Sequence, residues 1–164
     1  MQTNYRWTKK TFGSTYQIFS NDTLIGNLVS KSFSQTVNGE INSKKYTFKT
    51  TGFFSQSTEI IDNSTNSVIG NITYNSWMTK ASITIHYKAA NWQYNNIWNT
   101  KWNINDNFGM DINYAGSSTK GHIESNTDDD LLLLTGLFVT NYYWQTTIAV
   151  MAAVFIPIYV SVFS

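Results

Sequence analysis

The distribution of charge along the chain constrains its fold more than any other feature. All eleven basic and ten acidic residues lie at or before Asp130, and residues 131–164 carry no charge. A soluble domain rarely ends in such a segment unless the segment is buried in protein or in lipid. The uncharged C-terminal part is therefore expected to need an enclosing structure or an apolar phase.

The body before this segment has the pattern of short β-strands. Ala81, Ile83, Ile85 and Tyr87 alternate with Ser82, Thr84, His86 and Lys88, which is the period of a strand with one buried face. A composition of 16% aromatic and 13% charged residues favours strands over surface helices. Eleven strands are predicted, at 16–19, 24–29, 33–37, 45–49, 53–61, 67–74, 80–87, 92–95, 100–104, 110–114 and 120–124. The predicted turns lie at 20–22, 38–39, 62–64, 106–107 and 116–118.

An internal repeat supports a closed arrangement of these strands. The sequence LIGNL at 24–28 recurs as VIGNI at 68–72, and Asp62 matches Asp106 at the same offset of 44 positions. A degenerate third copy, KGHI, begins at Lys120. A regularly repeated hairpin unit suits a barrel, because closure leaves no unpaired strand edge. The repeated glycines are expected at bends or bulges.

The uncharged segment has the composition of helices. Asp128–Asp130 precede it, and acidic residues favour a helix N-terminus. Residues 131–144 are apolar on nearly every helical face, as in a helix enclosed on all sides. A second apolar run, 148–163, follows the polar residues 145–147, and its sixteen residues fall short of the roughly 20 that a bilayer span needs. We therefore expect an enclosed helix followed by a second helical tail.

These features resemble the tubby C-terminal-like superfamily, which includes tubby proteins, LURP-one-related proteins and phospholipid scramblases. The resemblance rests on IGNL at 25–28, IGNI at 69–72, WNIND at 102–106, and Asp128–Asp130 leading into LLLLTGLFV at 131–139. It implies a mainly β fold, a closed antiparallel barrel of about twelve strands threaded by an apolar C-terminal helix at 130–144. The chain would then divide into a barrel domain, 1–145, and an apolar tail, 146–164.

The residues give little support for catalysis or for a cofactor. The chain has no cysteine and two histidines, His86 and His122, of which His86 is expected to face solvent. Asp128–Asp130 lack the spacing of a calcium loop and are better explained as helix-capping residues. Asp62 and Asp106 are expected to form Asx turns. We predict a protein that is not an enzyme and binds no cofactor or metal.

A non-catalytic barrel acting at a membrane, with phospholipid as a candidate ligand, is the leading functional prediction. A net charge of +1 argues against nucleic acid as a partner. Residues 1–10 lack an apolar signal sequence, which predicts a cytoplasmic protein. The apolar C-terminal tail is expected to hold it at a membrane. Candidate headgroup contacts are Lys44, Lys45 and Lys49. Candidate lipid contacts are Trp144, Ile148, Val150, Met151, Phe155, Ile158, Tyr159 and Phe163.

Two alternatives remain open from the sequence. In the first, the chain is a soluble structural or protein-interaction module whose apolar segments are buried in the barrel or in an oligomer interface. In the second, it carries a small lipid in an unfilled lumen.

Overall fold

The computed structural model describes residues 2–10, 14–31, 34–52 and 56–163; for Ser14 and 157–163 it gives the secondary structure alone. One helix, α1 (Asp130–Phe163), follows twelve strands. The strands are β1 (Thr3–Lys9), β2 (Ser14–Ser20), β3 (Thr23–Ser30), β4 (Thr36–Ile41), β5 (Lys44–Thr51), β6 (Ser57–Asp62), β7 (Ser67–Tyr74), β8 (Lys80–Ile85), β9 (Lys88–Tyr94), β10 (Lys101–Asn105), β11 (Asp111–Gly116) and β12 (Lys120–Ser125).

The sheet is a closed antiparallel barrel. Each strand pairs with its neighbour in sequence, and β1 closes the cylinder by pairing with β12, from Thr3 opposite Ser125 to Thr8 opposite Lys120. Strand β8 buries Ala81, Ile83 and Ile85 and exposes the residues between them, as the alternation predicts. The predicted fold class, a mainly β closed barrel with an apolar C-terminal helix, is confirmed.

The first part of α1 fills the barrel and forms the core together with the inward side chains of the strands. Leu133, Leu134, Leu137 and Phe138 are fully buried, and the ring of Phe138 stacks on that of Phe48 in β5 at 4.4 Å. The lumen is therefore occupied by side chains of the chain's own helix, as in a small barrel whose interior is packed.

The internal repeat corresponds to two equivalent β-bulges. The pairing of β2 with β3 slips so that Ile25 is left unpaired beside Gly26, and the pairing of β6 with β7 slips in the same way at Ile69 beside Gly70. A Cβ on Gly26 would lie 2.9 Å from the Glu40 carbonyl oxygen. The prediction that these glycines lie at bulges is confirmed, because a side chain there would collide with the neighbouring strand.

Three details of the predicted strands are wrong. The predicted strand 80–87 ends at Ile85, because His86 and Tyr87 form the turn to β9 with φ angles of 47° and 66°, and Tyr87 is exposed rather than on the buried face. Asn38 and Gly39 lie inside β4, and the turn falls at Asn42 and Ser43, whose φ angles are 46° and 66°. Gly39 leaves room for α1 in the lumen, since a Cβ at this position would lie 2.5 Å from Leu134 Cδ2. Strand β1 was not predicted, although it completes the barrel. The first residues of the predicted strands 33–37 and 53–61 lie outside the described residues.

The helix is continuous where a break was expected. The polar residues 145–147 were predicted to separate an enclosed helix from a second helical tail, but α1 runs through them. The hydroxyls of Thr146 and Thr147 donate to the carbonyls of Tyr142 and Tyr143, each at 2.9 Å. Hydroxyls paired with carbonyls four residues earlier are compatible with a helix, so these residues do not interrupt α1.

Candidate functional site

The two ends of the barrel differ because α1 enters at one and leaves at the other. At the first, Asn42 Nδ2 donates to Asp130 Oδ2 at 2.6 Å, beside the turn between β4 and β5. At the other, the hydroxyl of Tyr143 donates to the Lys80 carbonyl at the start of β8. The helix leaves the barrel at the second of these ends, which we call the exit end. The end at which it enters is called the opposite end. Successive connections of an antiparallel barrel alternate between them.

Beyond the exit end, α1 presents apolar side chains to solvent. Residues 131–139 are buried, whereas all the side chains from Ile148 to Ile156 are exposed, with Phe155 at 64%. The segment from 148 to 163 is about 24 Å long at 1.5 Å per residue. Among the described residues, no helix combines the length and apolar character needed to cross a bilayer.

The structure places the candidate lipid contacts on this projecting part of the helix. Trp144, Ile148, Val150, Met151 and Phe155 are exposed on one continuous segment. The side chains of the remaining three, Ile158, Tyr159 and Phe163, lie outside the described residues.

Two connections at the exit end hold exposed tryptophans in matching loops. Asn75 Oδ1 accepts from the backbone N–H groups of Thr79 and Lys80, both at 2.9 Å, and Asn75 Nδ2 donates to Thr79 Oγ1. The loop from β9 to β10 repeats this network, with Asn96 bonded to Thr100 and Lys101. The tips of the two loops carry Trp77 and Trp98, which are 84% and 78% exposed.

Sequence reasoning missed these tryptophans as surface residues. The available signal was the pattern Asn-x-Trp-x-Thr, which occurs at 75–79 and again at 96–100. An asparagine that bonds the backbone four and five residues later builds a rigid loop, and the residue at its tip then faces solvent.

Lysines surround the exit end without acidic neighbours. Lys10 and Lys31 follow β1 and β3, while Lys80, Lys101 and Lys120 begin β8, β10 and β12. Within the part of the chain that the structure describes, no acidic residue lies at this end. Glu59 is near the middle of β6, and the others lie toward the opposite end: Asp22, Glu40, Asp62, Asp106, Asp111, Glu124 and Asp128–Asp130.

The three predicted headgroup lysines are not brought together at the exit end. Lys44 and Lys45 begin β5 at the opposite end, where Lys44 lines a groove with Asp128–Asp130. Lys49 lies farther along β5 toward the exit end, and five strand residues separate it from Lys44 by about 16 Å. Lys49 pairs in register with Glu59 of β6, so it has an acidic neighbour and lies at the same height on the barrel wall as that residue. A surface centred on the exit end therefore includes none of the three.

Lys9 occupies an unusual position beside the emerging helix. Its Nζ lies 5.0 Å from the centre of the Tyr16 ring and 5.9 Å from that of Trp144, so the cation bridges the barrel wall and α1. Burial lowers the pKa of the Lys9 ammonium, because removal of water disfavours its charged form. Nearby, burial raises the pKa of the Tyr94 hydroxyl to about 12.

The polar residues considered for chemistry have structural roles or are exposed. Asp62 Oδ1 accepts from the Ser64 N–H and Asp106 Oδ1 accepts from the Phe108 N–H, both at 2.8 Å, which confirms the predicted Asx turns. Asp129 Oδ1 accepts from the Leu132 N–H at 3.3 Å, as a helix cap does.

The histidines and the acidic cluster do not assemble a metal site. His86 and His122 are exposed at separate places, in the turn after β8 and in β12. Within the described ranges, no three His, Cys, Asp or Glu residues are grouped so that they could hold a metal ion.

Comparison with known proteins adds no functional assignment: no protein-family model matches the chain, and no curated protein or solved structure is similar to it. The kinship with tubby-like proteins stays a prediction, and functional inference depends on the geometry of the exit end.

Proposed function

We propose that this protein is a non-catalytic, tubby-like barrel that docks on phospholipid membranes with its exit end. The observation that carries the proposal is the coincidence of three features at that end: an exposed apolar helix, two tryptophans on rigid loops, and lysines without acidic neighbours. Each feature matches one layer of a membrane surface, namely the acyl chains, the interface and the headgroups.

The apolar helix supplies the driving force. Ile148, Val150, Met151, Val154, Phe155 and Ile156 are each about half exposed. Burying an apolar side chain of this size contributes about 1.5–3 kcal/mol, so moving the exposed halves of six such side chains into lipid would contribute roughly 5–9 kcal/mol. Immobilisation at the surface offsets part of this gain.

The tryptophans and lysines set the orientation. Tryptophan is enriched at membrane interfaces because its ring is apolar and its N–H is polar. Each lysine near an anionic membrane surface contributes about 1 kcal/mol. The acidic residues near the opposite end would be kept away from the anionic headgroups, which favours docking by the exit end.

The same features disfavour the two alternatives. Self-association through the exposed helix would bring the exit-end lysines of two copies toward each other, and like charges repel. A lipid carrier was expected to have an unfilled lumen, and residues 131–139 of α1 occupy the lumen.

Flotation with lipid vesicles tests the proposal. The full chain is incubated with vesicles of phosphatidylcholine alone or with added phosphatidylserine. We expect the wild type to float with both, and more strongly with phosphatidylserine. The double variant Met151→Asp/Phe155→Asp should remain unbound, whereas Phe108→Asp, which changes an exposed aromatic residue at the opposite end, should float like the wild type.

A matched pair of lysine variants tests the orientation. Lys80→Gln/Lys101→Gln should weaken binding to phosphatidylserine vesicles and reduce its salt dependence, whereas Lys44→Gln/Lys45→Gln should not. Equal losses in the two variants would contradict docking by the exit end. A wild-type chain that stays monomeric and unbound with both vesicle types would overturn the membrane function. Concentration-dependent oligomers without lipid, abolished by Met151→Asp/Phe155→Asp, would favour the protein-interaction alternative.

A further inference from the structure

A cavity of about 490 Å³ lies at the exit end between the barrel wall and α1. Buried aromatic residues line its inner part: Trp7, Tyr16, Trp102 and Tyr143. Exposed residues, among them Trp98, Lys10 and Ser118, line its outer part. Its volume falls within the roughly 300–1,000 Å³ of small-molecule sites. The cavity is thus large enough for a ligand and changes from apolar inside to polar outside.

The charge of the lining is purely basic. Lys9 and Lys10 are its only charged residues among those described, and no acidic side chain lines it. Lys9 is half-buried, and the single ion pair among the described residues, Arg6 with Asp22, does not involve it. A partly desolvated ammonium that faces aromatic rings gains from cation–π contact, but it still lacks the anion that would compensate its lost hydration.

Two buried hydrogen-bond donors in the lining also lack partners. The Nε1 atoms of Trp7 and Trp102 have no acceptor, although both residues are only 2% exposed. A buried polar group without a protein partner is costly unless a water molecule or a ligand pairs with it. The Lys9 ammonium favours a ligand that offers acceptor oxygens, and the buried aromatic rings of the inner part favour one that also has apolar surface.

We propose that this cavity binds an anionic amphiphile, with its acidic head group at Lys9 and Lys10 and its alkyl chain along the inner aromatic wall. The inference deepens the proposed membrane function and depends on it for the supply of ligand from the bilayer. Two lysines match one head group of low charge. A neutral apolar ligand would leave the Lys9 ammonium without an anion, and a cationic one would be repelled.

Photolabelling locates the bound chain and identifies its source. The full chain in phosphatidylcholine nanodiscs receives either a diazirine-bearing fatty acid or a diazirine-bearing phosphatidylserine as a bilayer component. Peptides are then mapped by mass spectrometry. Labels on Trp7, Tyr16, Trp102 or Tyr143 with either probe support the proposal. Labelling by the fatty acid indicates a free amphiphile, and labelling by the phosphatidylserine indicates a phospholipid. Labels confined to residues 148–156 would overturn it.

Binding variants test the role of charge. Lys9→Gln should reduce cavity labelling by the fatty acid about tenfold or more, as expected for loss of a charge-assisted hydrogen bond. It should leave labelling by a matched diazirine-bearing fatty alcohol unchanged. Lys88→Gln, at the opposite end, is the control and should label like the wild type.

The same variants separate this proposal from the membrane function. Lys9→Gln retains the apolar helix and the exit-end lysines Lys10, Lys31, Lys80, Lys101 and Lys120, so it should still float with vesicles. Normal flotation with lost cavity labelling supports both proposals. If Lys9→Gln floats normally and its labelling by the fatty acid is unchanged, the cavity assignment alone is overturned. If the wild type fails to float but its cavity is still labelled, membrane docking alone is overturned.

Discussion

The substitution Gly136→Ala tests the placement of α1 inside the barrel. A Cβ on Gly136 would lie 2.8 Å from Tyr114 Cε2 and closer still to the ring's Cζ and hydroxyl. Tyr114 is buried, and its hydroxyl donates to the carbonyls of Leu132 and Leu133 at 3.0 and 3.1 Å. The added methyl group must therefore displace a tightly packed ring and disturb its hydrogen bonds.

Whether Gly136→Ala raises or lowers the free energy of unfolding distinguishes a helix in the lumen from an exposed one. In an exposed helix, Gly→Ala stabilises by about 1 kcal/mol. Here overpacking costs about 1–3 kcal/mol, and an unpaired buried hydroxyl costs about 1–3 kcal/mol more. The free energy of unfolding should fall by about 3 kcal/mol after the helix gain is subtracted, and Tm by about 6–12 °C.

Urea unfolding of the full chain, followed by tryptophan fluorescence, measures this change, and thermal circular dichroism gives Tm. The second substitution Tyr114→Leu makes room for the methyl group, so the double variant should lose less stability than the sum of the two single variants. A Gly136→Ala protein that is more stable than the wild type would refute the packing of α1 against β11.

Two further predictions concern alkaline pH and the start of the helix. Burial raises the pKa of Tyr94 to about 12 and that of Tyr114 well above its usual value. Tyrosines in the unfolded chain ionise near pH 10, so this stabilisation is complete below about pH 10 and is lost at about 1.4 kcal/mol per pH unit per tyrosine as the pH rises toward the folded pKa values. The measurement uses the Tyr87→Phe variant, which removes a fully exposed tyrosine. Most of its tyrosinate absorbance should appear together with loss of the circular dichroism signal, and absorbance that is complete before unfolding would contradict the prediction. Asp129→Ala removes the acceptor for the Leu132 N–H and should lower the free energy of unfolding, measured by urea titration, by about 1 kcal/mol. The control Asp128→Ala should have a smaller effect, and equal losses in the two variants would argue against the helix cap.

The strand pattern predicted most of the barrel because alternation is a local property. One prediction failed where the lumen constrains the chain, and another failed where hydrogen bonds within the helix do. Gly39 resembles a turn residue in sequence, but it lies in β4, where the absence of a side chain leaves room for Leu134 of α1. The expected helix break is absent because the hydroxyls of Thr146 and Thr147 donate to carbonyls within the helix itself.

The candidate site was predicted in part. Exposed apolar residues after Trp144 followed from composition, since a lumen that holds one short helix leaves the rest outside. Trp77 and the exit-end lysines could not be predicted as a group, because they lie on strands and loops far apart in sequence. Lys44 and Lys45 were chosen for their proximity in sequence, and the turn at 42–43 places them at the opposite end.

The amino-acid sequence by itself determined that the chain forms alternating strands with repeated glycine bulges and ends in an uncharged helix. Tertiary structure alone decided which residues share an end of the barrel. In an antiparallel cylinder every second connection returns to the same end, so closure gathers lysines from positions 10 to 120 around one opening. The helix must leave by that opening because it enters by the other, and its apolar side chains therefore emerge among those lysines.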